Sequence, residues 1–332
     1  MPSLDIFNDD AFSMASLTRA INEQPHVPGM IGAHGLFTEE GVTTTAVTVE
    51  KDGDTLALVA AGERGSVAAN VAGSKRKLVT FNTIHLPQRA TILADEIQNV
   101  RAFGSETDLE TIQNVVNKRL AKMRRNLDAT VEFQRIGAIK GALLDSDGVT
   151  ELVDIYDTFG LTQDSVGMAL GTDGTNVRGK VITAVRTSED ALGNTTATGY
   201  RAYCGDAFFD AFIDHPKVKA AYERWLEGEF LRNDPRAGFL FGGVFWVNYR
   251  GKVGSTKFVG DDDAYLVPEG VPDLFATHYA PADYVEAANT IGLPYYSKQE
   301  AKEMGKGVLL EAQSNPISLC TRPKAIIKLT KV

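Results

Sequence analysis

The sequence predicts an α+β fold made of an N-terminal arm, an extended β-hairpin loop, one long helix and a mixed body. Three observations predict it. A Thr/Val-rich segment, 42–50, and the segment 54–60 flank Asp52-Gly53, and Asp-Gly is a strong hairpin signal because Gly accepts positive φ. Leu109, Ile112, Val116, Leu120, Met123, Leu127 and Val131 recur at steps of three and four, the helical period. The end of the chain, Ala325-Ile-Ile-Lys-Leu-Thr-Lys-Val332, alternates apolar and polar as a strand does.

Residues 1–41 read as the arm. Ile6, Phe7, Phe12, Leu17 and Ile21 form short apolar clusters, with one helix expected near 11–22, and Pro25, Pro28 and the glycines from Gly29 to Gly41 break the rest. So broken a segment cannot bury a core of its own and is expected to lie on something else or stay disordered. Residues 42–92 read as the extended loop. The small, polar stretch from Gly62 to Lys77 carries Glu63, Arg64, Lys75, Arg76 and Lys77 at its ends, after which Leu78, Val79, Phe81, Ile84 and Leu86 resume a strand that Pro87 ends. A lone two-stranded ribbon is marginal in water and needs a partner surface. Its charged tip is either a solvated loop or the tip of an arm that interlocks with another subunit.

Residues 105–139 read as the long helix. Ser105 is a good N-cap, Glu106, Asp108 and Glu110 place negative charge on the positive end of the helix dipole, and Gly137 and Gly141 terminate it. At about 1.5 Å per residue this is a rod of roughly 45–50 Å with one apolar stripe. Lys118, Arg119, Lys122, Arg124 and Arg125 are assigned to its polar face. That basic run invites a DNA reading. With Glu110, Asp128 and Glu132 nearby, a solvated or intersubunit face is favoured.

Residues 142–160 read as β around an Asp147-Gly148 turn, with Leu143, Leu144, Leu152, Val153, Ile155 and Tyr156 in the strands. Beyond 160 the chain is mixed. Helices are expected at 205–214 and 216–230, with Pro216 in a first turn, and strands at 239–249 and 264–267. The polar, Gly/Thr-rich stretch 171–200 receives no assignment.

Composition narrows the function. Lys and Arg number 34 against 43 Asp and Glu, a net charge of −9, so the chain is a poor free nucleic-acid binder unless its basic residues cluster. Two cysteines, Cys204 and Cys320, cannot form a disulfide framework, and neither lies in a CxxC pair that would serve zinc. The longest apolar stretch, 238–247, is too short for a spanning helix, which needs ~20 residues. The N-terminus is acidic where a signal peptide is basic, so a cytosolic, thiol-reduced, non-membrane protein is expected. Gly174-Thr-Asn-Val-Arg-Gly-Lys180 matches most of a phosphate-binding loop, but Val181 stands where the Mg²⁺-binding hydroxyl belongs. The five histidines form no HxxxH pair, Asp261-Asp262-Asp263 lacks calcium-loop spacing, and no GxSxG elbow occurs. No catalytic, cofactor or metal residue is assigned.

Arm, β excursion and single-striped helix share one property: none satisfies its burial within a lone chain. That predicts self-association through interfaces of roughly 2,000–5,000 Å², a shell or lattice protein and not a compact enzyme.

The sequence resembles the major capsid protein E family of tailed phages, the lambda-type capsid proteins. The resemblance lies in Asp263-Ala-Tyr-Leu-Val-Pro-Glu-Gly-Val-Pro-Asp-Leu-Phe275, Tyr279-Ala-Pro-Ala-Asp-Tyr284, Asn289-Thr-Ile-Gly-Leu-Pro-Tyr295, Gln313-Ser-Asn-Pro316 and Cys320-Thr-Arg-Pro-Lys324. Phe81-Asn-Thr-Ile-His-Leu-Pro87 and Asp95-Glu-Ile-Gln-Asn-Val-Arg101 also carry it. It extends from about residue 5 to 330, and its specificity rests on the order and spacing of these segments. The resemblance implies the tailed-phage and herpesvirus major capsid fold, with an N-arm at 1–41, an extended loop at 42–92, a peripheral domain at 93–160 holding the spine helix, an axial domain at 161–305, and a C-terminal strand at 306–332 that rejoins the body. It implies a structural, non-enzymatic subunit of the virion, made in the host cytoplasm and needing no cofactor. Hexamers and pentamers would close an icosahedral shell around double-stranded DNA, with weak non-specific DNA contact. The implied partners are the chain itself, a portal, a scaffolding protein and, on some heads, a decoration protein. A cellular nanocompartment shell of the same fold and a nucleotide-binding enzyme using Gly174–Lys180 are the alternatives.

Overall fold

The computed structural model describes residues 10–24, 29–51, 77–97, 108–221 and 238–332. Helix α1, Met14–Glu23, starts at Ser13, whose hydroxyl accepts from the Ser16 amide at 3.3 Å, an N-cap that satisfies one orphan donor. Helix α2, Met30–His34, stops at Gly35 in the left-handed region, φ 62°. Strands β1 (Thr38–Gly41), β2 (Ala46–Lys51), β3 (Lys77–Asn82) and β4 (Leu86–Leu93) follow, then the single turn α3 (Ala94–Ile97) and the 33-residue α4 (Asp108–Lys140). Strands β5 (Ala142–Leu144) and β6 (Glu151–Asp154) form the hairpin that Asp147-Gly148 predicts; Asp147 accepts from the Val149 and Thr150 amides at 2.8 Å each. Next come α5 (Ile155–Phe159), β7 (Ser165–Gly167), α6 (Val177–Leu192), β8 (Gly199–Cys204) and α7 (Asp206–Asp214). The strands from residue 238 onward are β9 (Phe239–Phe241), β10 (Val244–Asn248), β11 (Lys252–Val253), β12 (Thr256–Lys257), β13 (Asp263–Glu269), β14 (Phe275–Tyr279), β15 (Tyr296–Ala301), β16 (Gly307–Ser314), β17 (Pro316–Cys320) and β18 (Ile327–Thr330).

The chain divides into two compact units. The first comprises Met1–Val47, Asn82–Arg135 and Ala276–Leu319, the second Thr48–Phe81, Ile136–Phe275 and Cys320–Val332. In the first, the antiparallel sheet β15-β16-β4 supplies Ile92, Val308 and Leu310 to a core that Leu17 and Ile21 of α1 and Val116, Leu120, Met123 and Leu127 of α4 complete. A second sheet runs β1-β14-β17, with β1 parallel to β14. The second unit is built on the six-stranded sheet β7-β18-β13-β8-β10-β9. Its core holds Phe208 and Phe212 of α7, Trp246 and Phe239. Phe212 stacks on Trp246 with centroids 4.0 Å apart, and the indole N–H, which would be costly to bury unpaired, donates to the Phe241 carbonyl at 3.0 Å.

Several expectations need correction. Helix α1 and the middle of the long helix do not await another chain: Phe12, Leu17 and Ile21 are buried with Val116, Leu120, Met123 and Leu127 within the first unit. Gly137 does not end the helix. A Cβ there would stand 2.8 Å from the Ala142 carbonyl oxygen, so glycine serves the close approach of β5, and the helix ends at Gly141, φ 93°. Pro87 lies inside β4 opposite Gln313; β4 is an edge strand, where a missing N–H is tolerated. Ile155 and Tyr156 are helical, because Asp154 caps the turn by accepting from the Asp157 amide at 2.9 Å. Stretch 171–200 contains α6, so a helix does follow the Gly-rich loop: Asn176 caps it, and Lys180 lies in its first turn with Nζ donating to the Gly167 carbonyl at 2.5 Å. Gly242 and Gly243, both at positive φ, divide 239–249 into β9 and β10. Strand β2 pairs with β3; Ser105, the Asp52-Gly53 hairpin, segment 54–60 and residues 222–230 of the last predicted helix lie outside the described residues, while 216–221 are helical.

Candidate functional site

Helix α4 organises the first unit. Arg124, Asp128, Glu132 and Arg135 step by four, four and three along one side of it, and each holds a piece of the N-terminal segment or the sheets behind it. The Arg124 side chain is 9% exposed, and Nη1 donates to the carbonyls of Ile21 and Asn22 at 2.7 and 2.5 Å. Those carbonyls belong to the last turn of α1, where no intrahelical donor serves them. Arg124 Nε stands 3.7 Å from Asp128 Oδ2, an ion-pair distance beyond hydrogen-bond reach, and its guanidinium lies 5.0 Å from the Tyr295 ring centroid. The Tyr295 hydroxyl donates to Asp128 Oδ1. Burial, then the neighbouring Tyr279 and Asp128, push that phenol well above its ordinary range.

One turn on, Glu132 accepts from the Ile31 and Gly32 amides at 2.7 and 3.1 Å. A carboxylate at the start of a helix answers both the orphan donors and the dipole. Gly29 makes room for this carboxylate, because a Cβ would stand 2.3 Å from the Glu132 carboxyl carbon and push it from its place. Arg135 reaches Glu39 of β1 at 2.5 Å and Thr277 of β14 at 3.3 Å. Beside this pair, His278 Nδ1 lies 3.8 Å from Glu40; burial pushes the imidazole below its ordinary value, and Glu40 offsets part of that.

The basic run therefore separates into three environments. Arg124 is buried, contrary to its assignment to the polar face: it follows Leu120 by four residues and precedes Leu127 by three, which places it beside the apolar stripe. Arg119 bridges to Glu96 of α3 at 2.5 Å. Lys118, Lys122 and Arg125 are exposed. Of the loop-tip residues, Glu63, Arg64, Lys75 and Arg76 lie outside the described residues, as does the side chain of Lys77, the first residue of β3.

The second unit has a shallow cavity of about 140 Å³ whose lining includes Asp206, Tyr249, Arg250, Lys252, Lys257 and Asp261. Four of these charges are spent on one another: Lys257 meets Asp206 at 3.2 Å and Asp261 at 2.5 Å, and Arg250 meets Asp206 at 3.5 Å. Cys204 and Cys320 are buried free thiols, and burial pushes the Cys320 thiol up to about 12. Among the described residues no group of His, Cys, Asp and Glu is placed to hold a metal ion, and no helix is long and apolar enough to cross a membrane.

Comparison with known proteins decides what kind of molecule this is. The model of the family described as phage major capsid protein E matches residues 13–331. The chain belongs to the phage major capsid protein E family. The major capsid protein of Pseudomonas phage KPP10 is similar, 28% identical over 338 aligned residues that cover 96% of each chain. A crystal structure assigned to a capsid protein of an Escherichia coli CFT073 prophage is 12% identical, covers 96% of this chain and 99% of its own, and superposes with a TM-score of 0.61. The capsid structure of cyanophage P-SCSP1u is likewise 12% identical, with 92% and 89% covered and a TM-score of 0.52. These structures share the fold, which is the expected α+β tailed-phage capsid fold.

Members of the capsid protein E family are structural, and the nucleotide-enzyme alternative for Gly174–Lys180 falls with that. Of the four α4 residues that do the local work, the charge pattern named Arg124, Asp128 and Glu132 as parts of one solvated or intersubunit face and missed Arg135. Asp128, Glu132 and Arg135 carry a readable signal: polar residues at helical spacing that continue the edge of an apolar stripe point toward packed neighbours. Gly29 and Tyr295, distant in sequence from α4, carry none.

Proposed function

We propose that this chain is the repeating subunit of an icosahedral phage head, arranged as hexamers and pentamers around packaged double-stranded DNA. The observation that carries the reading is the family match over residues 13–331, nearly the whole chain. The β2–β3 pair is the root of an extended loop that lies over a neighbouring subunit, and Glu63, Arg64, Lys75, Arg76 and Lys77 set its register through charge pairs that contribute little energy each. The spans 1–41, 42–92, 93–160, 161–305 and 306–332 serve as arm, loop, peripheral domain, axial domain and closing strand. A net charge of −9 suits the inside of a DNA container: an acidic wall makes few salt-dependent phosphate contacts, so DNA slides during packaging and ejection. A portal, a scaffolding protein and a decoration protein complete the head, which is assembled in the host cytoplasm.

Deleting residues 62–77 tests the interlocking role. Circular dichroism is expected to report a folded chain, and sedimentation velocity with electron microscopy to find no stable shells. Closed shells of normal stability from the truncated chain would refute the role. Particles of the full chain filled with a protein cargo would instead favour a nanocompartment.

A further inference from the structure

Lys118, Lys122 and Arg125 are exposed on α4, and none makes an ion pair among the described residues. Taking about 100° of rotation per residue, the three fall within about 60° of one another, on the side of the helix roughly opposite Val116, Leu120, Met123 and Leu127. Asn114 is exposed on the same side. Between residues 113 and 131 the helix carries a single acid, Asp128, and its side chain is 7% exposed on the buried side. The strip is therefore locally cationic in an acidic chain, and it is mounted on the longest helix among the described elements.

We infer that this strip contacts the phosphate backbone of double-stranded DNA through Lys118, Lys122 and Arg125, a partner assignment that rests on the proposed head-shell role. Charge is the first argument: three exposed cations with no ion pair among the described residues, and one amide donor, match phosphate oxygens, which take most non-specific contacts. The absence of aromatic residues is the second. The apolar residues in or beside the strip are Val115, Ala121 and Ala129, whereas the core of a protein–protein interface is rich in aromatic residues and depleted of Lys. Spacing is the third. Seven residues of helix rise about 10 Å, close to three phosphate steps of one strand at ~3.4 Å each. Contact with about three phosphates is local and weak, as a wall along which DNA moves requires.

The test uses the full-length, unassembled subunit and a fluorescently labelled random-sequence duplex, with anisotropy read from 50 to 200 mM salt. Neutralising three phosphates gives a log–log salt slope near −2.7, about a 40-fold loss of affinity across that range. The triple variant Lys118→Gln/Lys122→Gln/Arg125→Gln is expected to bind more weakly at 50 mM salt with a slope near zero. The charge-keeping variant Lys118→Arg/Lys122→Arg/Arg125→Lys should behave as wild type. No binding by wild type at 50 mM salt, or a wild-type slope in the triple glutamine variant, overturns the inference. So does a triple variant that binds DNA normally yet fails to form particles, because the strip then faces a second copy. Electron microscopy of the same variants reads shell formation separately, so the head-shell role stands or falls on its own result.

Discussion

Two adjacent arginines on α4 are predicted to behave oppositely. Arg124→Ala strips the cation that stands 3.7 Å from the buried Asp128 carboxylate and frees the Ile21 and Asn22 carbonyls. Removing one partner of a buried pair costs about 3–5 kcal/mol, so the urea midpoint is expected to fall markedly. Arg124→Lys recovers only part, because a single ammonium cannot span two carbonyls and a carboxylate as the guanidinium fork does. Arg125→Ala, one residue on and exposed, is expected to change stability by less than ~0.5 kcal/mol. Equal losses at the two positions would contradict the burial argument. His278 gives a pH dependence of definite sign. Burial lowers its pKa from the ordinary 6.5 in the folded chain, so the unfolded chain takes up the proton first. The stabilisation is complete above pH 6.5 and is lost as pH falls from there through the folded value. Urea midpoints at pH 7.5, 6.5 and 5.5 should therefore decline, and His278→Gln should flatten the series. A midpoint that rises on acidification would mean that the Glu40 pairing outweighs burial.

At the scale of elements, what the sequence made legible is what local physics determines. The α4 stripe was readable because its steps repeat over many turns, and Asp147-Gly148 marked the β5–β6 turn because few residues other than Gly tolerate that φ. The closing strand β18 was readable because buried Ile327 and Leu329 alternate with half-buried Lys328 and Thr330. Missed elements fail for stated reasons. Helix α6 begins in a Gly/Thr-rich loop, and its buried positions, Val177, Val181, Ala184, Ser188 and Leu192, include small and polar residues that dilute the pattern. Gly137 looked like a stop because glycine at a helix end usually is one; its real constraint, the Ala142 carbonyl, exists only once β5 folds back. Pairings such as Leu86 with Ser314 join residues more than two hundred positions apart, and no local pattern encodes them. The candidate site divides the same way. Arg124 could have been placed from its spacing to Leu120 and Leu127, but its two carbonyl acceptors are supplied by α1, about a hundred residues away.

For the molecule as a whole, burial within each unit separates folding from assembly. Leu17 and Ile21 are 2% and 0% exposed within the single chain, and Trp246 and Phe212 are both 0% exposed. Burying a large apolar side chain stabilises by about 1.5–3 kcal/mol, and none of these four needs a neighbouring subunit to achieve it. A chain whose core were completed only by copies of itself would show a Tm that rises with concentration, because mass action links folding to association. The unassembled subunit is expected to behave otherwise. Calorimetric scans at two concentrations tenfold apart, both kept below particle formation as judged by sedimentation, should give the same Tm. Deleting residues 62–77 should leave that Tm nearly unchanged, since the cores formed by α1 with α4 and by α7 with the six-stranded sheet lie outside the deleted segment. A Tm that climbs with concentration, or that collapses on deletion, would return the missing burial to the neighbours and make folding and shell closure one event.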